Sequence, residues 1–279
     1  MEAKEWAYKI INDFASRAGG SVWLNVSDRG LVAAGLHARV DKPDTIRQGA
    51  TNVCGIVGFV RNWAQDDPVD FAWLGIQLYE TGRGRVGRGQ FCGKVVAPSP
   101  ELKKHPVPQG MDPADWIILA SIREAFNSVF KYPDPFIGET LSAINFPSDV
   151  VAGFKAAGYV NVTDRTSWNK SVGYDNANDA SDKFLQGYRV VLLINARLLN
   201  DDKARTQAVV PTSDHWVGLC SEIEINLWWQ PGAPVEADRA GVRLKVNSWG
   251  DGVSVPNNGD YMLLRTFVNH YYGFVAAKF

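Results

Sequence analysis

The chain has 279 residues, 46% of them hydrophobic and 21% charged, with a formal net charge of −1. That is the balance of a folded protein with ample core, and near-neutrality excludes nucleic acid or an anionic membrane as a partner held by bulk electrostatics. Three cysteines, Cys54, Cys92 and Cys220, are too few and too scattered for a disulfide scaffold or a zinc site, and they point to a reducing place of work.

Residues 5–18 predict an amphipathic helix, with Trp6, Ile10, Ile11 and Phe14 near helical spacing. The start lacks a basic stretch before a continuous apolar core, so no secretory signal is expected. No apolar run in the chain approaches the roughly 18–20 residues a membrane-spanning helix needs. Residues 21–41 hold short alternating and β-branched pieces suited to a strand and turns. A helix is predicted from Cys54 to Ala64. Another follows in "DDPVDFAWLGIQLYETG", where Asp67 caps, Pro68 fits the first helical position and Gly82 ends it. "MDPADWIILASIREAFNSVF" repeats that arrangement with Asp112 and Pro113, and "PSDVVAGFKAAGY" starts a further helix near Ser148.

After about Thr163 the texture changes. "YRVVLLINARLL", "DHWVGLCSEIEINLWW", "VRLKVNSWG" and "DYMLLRTFV" are β-branched and aromatic, separated by Asp, Asn, Pro and Gly, and read as strands; the last also suits a run into a helix. The expected fold class is α+β, with a mainly helical lobe over residues 1–162 and a β-rich lobe over 163–279.

Among residues that carry chemistry, Cys54 stands at the start of a predicted helix. A buried free thiol is most often a small hydrophobe, but a helix N-terminus favours the thiolate, and a nucleophile then needs a base and an orienter for it. Of the four histidines, His105 sits in a polar loop, His270 reads as surface or packing, and His37 fits a strand of the helical lobe. His215 in "SDHWVGL" stands where polar residues give way to an apolar strand, and Asn247 in "KVNSWGDG" ends another. An amide oxygen at Asn247 would accept the imidazole proton and set its tautomer. "GRGRVG" contains a literal GxGxxG at Gly82, Gly84 and Gly87, but after a helix, so a helix stop and basic loop (Arg83, Arg85, Arg88, Lys94) is the reading preferred over a dinucleotide site.

Four blocks taken together resemble the papain-like cysteine peptidases. "QGATNVCG" places Cys54 six positions after Gln48, as in that family; Asp214–His215 matches its Asp-His pair, Asn247–Gly250 its "NSWG", and the order is the same. The resemblance implies a two-lobed fold with a cleft between the lobes and an endopeptidase acting through an acyl-enzyme. Cys54 would be the nucleophile, held as thiolate by the helix end and a protonated His215. Asn247 would be the orienter under Trp249, and Gln48 with the Cys54 N–H would form the oxyanion hole. It further implies no cofactor or metal, a protein substrate, and a cognate immunity or inhibitor protein as a further partner.

Thr51 stands where the family has a disulfide cysteine and Gly55 where it has tryptophan. The better comparison is therefore a bacterial effector or toxin domain, secreted without a classical signal and acting in a target cell's cytoplasm. The same thiol chemistry also serves deamidases, transglutaminases and other acyltransferases acting on glutamine side chains. A non-catalytic binding module is a third reading, and the four intact positions count against it.

Overall fold

A computed structural model describes residues 2–49, 51, 53–87, 93–126, 146–168, 171–205, 212–227 and 240–279. The chain divides into two compact units, Met1–Tyr159 and Val160–Phe279. Helices dominate the first and an antiparallel sheet the second, so the protein is α+β.

In the first unit, α1 (Ala3–Ser16) buries Ala7, Ile10, Ile11 and Phe14 along one stripe. Trp6, expected on that stripe, is exposed. α2 (Arg29–Asp41) occupies the stretch predicted as strand and turns, and His37 lies in it. Asp28 caps this helix by accepting from the Leu31 N–H at 3.0 Å, and Val32, Ala33, Leu36 and Val40 lie on its buried side. Gly30 and Gly35 each weaken the local helix preference by about 1 kcal/mol, which misleads a reading by propensity. Packing reverses it: a Cβ on Gly35 would collide with Asp112 and Ala114.

A 3₁₀ turn (Pro43–Thr45) precedes α3 (Cys54–Asp66). Every residue from Cys54 to Ala64 is buried, so α3 is a central helix of this unit. The two polar residues that interrupt its apolar run are paired. Arg61 donates to Asp44 at 2.6 Å and to Asn62 at 3.0 Å, and Asn62 donates to the Gly58 carbonyl at 2.8 Å. α4 (Pro68–Thr81) starts and stops where its caps predict: Asp67 accepts from the Asp70 N–H at 3.0 Å, and Gly82 adopts a left-handed φ of 66°.

Beyond it β1 (Gly84–Val86) and β2 (Lys94–Val96) form an antiparallel hairpin. The GxGxxG glycines thus lead from a helix into a strand, the reverse of a dinucleotide site. A Cβ on Gly87 would run into the Ala156 carbonyl, so glycine there is a packing requirement. Arg88 and Cys92 lie outside the described residues. The short α5 (Pro100–Lys104) is followed by α6 (Pro113–Phe126), where Asp112 accepts from the Ala114 N–H at 2.8 Å; the rest of that predicted helix is outside the described residues. α7 (Pro147–Ala156) packs on α3 through Phe59 and Phe154, edge to face at 5.4 Å.

The second unit runs β3 (Val160–Asp164), α8 (Gly173–Leu185), β4 (Arg189–Ile194), a 3₁₀ turn (Ala196–Leu199), α9 (Asp201–Arg205), β5 (His215–Leu219), β6 (Glu224–Leu227), β7 (Ala240–Ser248), β8 (Asp251–Val255), β9 (Met262–Leu263), α10 (Leu264–Asn269) and β10 (Tyr271–Lys278). The sheet order is β3-β10-β4-β5-β7-β6, with β8 and β9 also on β7, and every pair is antiparallel. β7 is the hub. Its first half pairs with β6 and β9, its second with β5 and β8.

Val190, Leu192, Val217, Leu219, Val242, Leu244 and Val246 form one core with Ala177 and Ala180 of α8 and Phe267 of α10. α8 falls in the half expected to be β-rich, in a stretch for which no element is predicted. It is rich in Asp and Asn, and its small buried Ala177, Ala180 and Ser181 suit close packing on a sheet but make a weak apolar signal.

Candidate active site

Gln48 and Cys54 lie at the two ends of one segment of the first unit. Asp115 of α6, in a two-pronged pair with Arg39 of α2 at 2.6 and 3.0 Å, also accepts the Arg47 N–H at 3.1 Å, so the chain is pinned one residue before Gln48. Burial pushes the Asp115 carboxyl up and Arg39 opposes it. The Thr51 N–H and hydroxyl both donate to the Gln48 carbonyl, at 3.1 and 2.6 Å, closing a tight turn.

Gly49 sits in that turn at φ 55°, where a Cβ would come within 2.9 Å of Met111. Glycine at position 49 is therefore demanded by backbone geometry as well as by any chemistry. The Gln48 side chain is buried, and its amide oxygen has no hydrogen-bond partner among the described residues. Cys54 is the first residue of α3, follows an N-cap, Val53, that makes no side-chain cap, and is 7% exposed.

His215 and Asn247 lie in the second unit on neighbouring strands. The start of β5 is anchored by Asp214, which accepts from the Ala196 N–H at 2.6 Å and the Asn195 amide at 3.2 Å. Burial raises the Asp214 carboxyl, against the Ala196 N–H and Arg197. The His215 ring is buried, with Nε2 2.8 Å from Ser248 Oγ and its face stacked on Trp249, centroids 4.6 Å apart. Burial lowers its pKa to about 4.

Trp249 and Gly250 link β7 to β8 with φ of 52° and 84°, the signs of a type I′ hairpin turn, and tryptophan is an unusual residue at positive φ. Asn247 is also buried and stands between Gly218 of β5 and Gly252 of β8. Among the described residues the ring's hydrogen-bond partner is Ser248, one position beyond the asparagine expected there. No sequence signal singled out Ser248, because the family pattern draws attention to its neighbours.

The other histidines are engaged elsewhere. His37 Nε2 is 2.8 Å from Asn12 and its ring stacks on Tyr8. His270 is fully buried with Nδ1 2.8 Å from the Thr266 carbonyl, a packing role. Cys220 is a thiol at the end of β5, more exposed than Cys54, and neither is in a disulfide. Among the described residues no three His, Cys, Asp or Glu side chains gather as a metal site, and no helix is long and apolar enough to cross a membrane. No family model, curated protein or solved structure matches the chain.

Proposed function

We propose that the chain is a papain-like cysteine endopeptidase whose two units correspond to the lobes of that fold. The observation that carries this reading is the His215 ring: buried, tied at one nitrogen and covered by Trp249, it is held as a catalytic base must be held. Support comes from Cys54 at a helix start and from Gln48, buried six positions before it.

In this reading the His215 imidazole is neutral at pH 7, since burial holds it near 4. That favours proton transfer during attack over the resting thiolate–imidazolium pair implied by the family resemblance. The Cys54 sulfur adds to the scissile carbonyl as its proton passes to His215. The oxyanion is met by Gln48 and the Cys54 N–H, and removing one such donor costs on the order of a hundred- to a thousandfold in kcat. The imidazolium protonates the leaving amine as the C–N bond breaks, leaving a thioester. Water then gives a proton to His215 as its oxygen adds to the thioester, and His215 returns that proton to the departing Cys54 sulfur as the C–S bond breaks. Asn247 completes the family block on β7, although the group at Nε2 is Ser248.

The departures at Thr51 and Gly55 support a bacterial effector or toxin domain, acting on a protein in a target cell's cytoplasm and restrained by a cognate inhibitor protein. The test is to incubate wild type and Cys54→Ala with a eukaryotic or bacterial lysate and map new peptide termini. New ends that depend on Cys54 are expected. A one-dalton shift or cross-link at glutamine, without new ends, would move the chain to the glutamine-modifying class.

A further inference from the structure

We propose that Ser248, and not Asn247, is the positioning residue of the His215 imidazole; this rests on His215 being the base of the proposed reaction. Strand register decides which side chain reaches the ring. β7 pairs Asn247 with Gly218 and Val246 with Leu219 of β5, and Ser248 with Asp251 of β8. Side chains alternate along a strand, so Ser248 shares a face with Val246 and Leu244, and Asn247 takes the other. On β5 the same alternation groups His215 with Val217 and Leu219, which pack with Val246 and Leu244 in one core. His215 and Ser248 therefore belong to one face and Asn247 to the opposite one. The 2.8 Å contact between Nε2 and the Ser248 hydroxyl is the direct result.

The consequence for the proton is specific. With Nε2–H donating to Ser248 Oγ, the ring is fixed in the tautomer whose Nδ1 lone pair accepts a proton from a thiol. Ser248 is 3% exposed, so water does not compete for the contact. Trp249 lies against the ring face and restrains its rotation. A serine hydroxyl brings no charge, unlike a carboxylate partner, so it orients the ring without favouring the imidazolium. The low His215 pKa agrees with that.

The test uses the full chain labelled with ¹⁵N-histidine, comparing wild type with Ser248→Ala, Ser248→Cys, Ser248→Thr and Asn247→Ala. In wild type the His215 nitrogens should report an Nε2–H tautomer at pH 7. Ser248→Ala should shift both resonances toward a mixture of tautomers, Ser248→Thr should restore them, and Asn247→Ala should leave them in place. Ser248→Cys, close in volume to serine, reads the loss of the hydroxyl if the alanine variant does not fold.

Turnover should fall roughly ten- to a hundredfold in kcat with little change in KM for Ser248→Ala, the scale on which metal-bound histidines depend on their outer hydrogen-bond partners. Unchanged His215 resonances in both the alanine and cysteine variants would overturn the proposal. So would a shift in Asn247→Ala. Because the resonances are read without turnover, a chain that cleaves nothing yet shows the Ser248 dependence would refute the peptidase reading alone.

Discussion

A histidine stacked on a tryptophan and tied to a buried serine titrates unlike one in water. Burial lowers His215 from 6.5 to about 4, so the unfolded chain takes up a proton below pH 6.5 that the native ring refuses. The contribution to stability is thus whole above pH 6.5, falls as the solution is acidified, and is lost by about pH 4. The full difference is roughly 3 kcal/mol. Urea melts at pH 7 and pH 4.5 should show the wild type losing more stability than His215→Gln by roughly 2 kcal/mol, most of that difference. Equal losses would place His215 in a wetter setting than its burial indicates. Ring titration by NMR gives the same answer directly, with a midpoint well below that of an exposed histidine.

At the scale of elements, the first unit depends on how α3 is wrapped. A helix buried over Cys54 to Ala64 needs small residues where its neighbours cross it. α7 supplies Gly153, where a Cβ would lie 2.8 Å from the Phe59 ring. Phe59 is fully buried between Trp63 and Phe154, so it has nowhere to retreat. Gly153→Ala should therefore destabilise the protein by about 1–3 kcal/mol despite alanine's better helix preference. A thermal melt checks this, and a raised melting temperature would show that the α3–α7 contact is looser than described.

Local signals marked several of these elements well. The Asp67–Pro68 start and Gly82 stop of α4 are chemical requirements of a helix end, and they operate wherever the helix sits. α2 and α8 were hidden for the opposite reason. Gly35 in α2 and the alanines of α8 are explained by the elements they press against, which a linear reading does not contain.

For the whole molecule, the proposed reaction depends on two groups far apart in the chain, the Cys54 thiol and the His215 imidazole. Exposure alone predicts that Cys220, being more open than Cys54, alkylates first. Coupling to His215 predicts the reverse. Iodoacetamide at pH 7, read by peptide mass, should modify Cys54 ahead of Cys220, and His215→Ala should abolish that preference while leaving Cys220 as it was. Labelling that follows exposure in both proteins would leave Cys54 a core residue and remove it from the proposed reaction.

By itself the sequence determined the α+β class, the capped helices, the helix start at Cys54 and the strand start at His215, because each follows from local composition and from groups adjacent in the chain. It also exposed Gln48, Cys54, His215 and Asn247 as short blocks in a familiar order. Only the tertiary structure decided which side chain meets the imidazole. Asn247 and Ser248 are neighbours in sequence, yet a strand sends consecutive side chains to opposite faces. Which of them meets His215 depends on the register of β5 against β7, set by the pairing of Gly218 with Asn247 between strands distant in the chain.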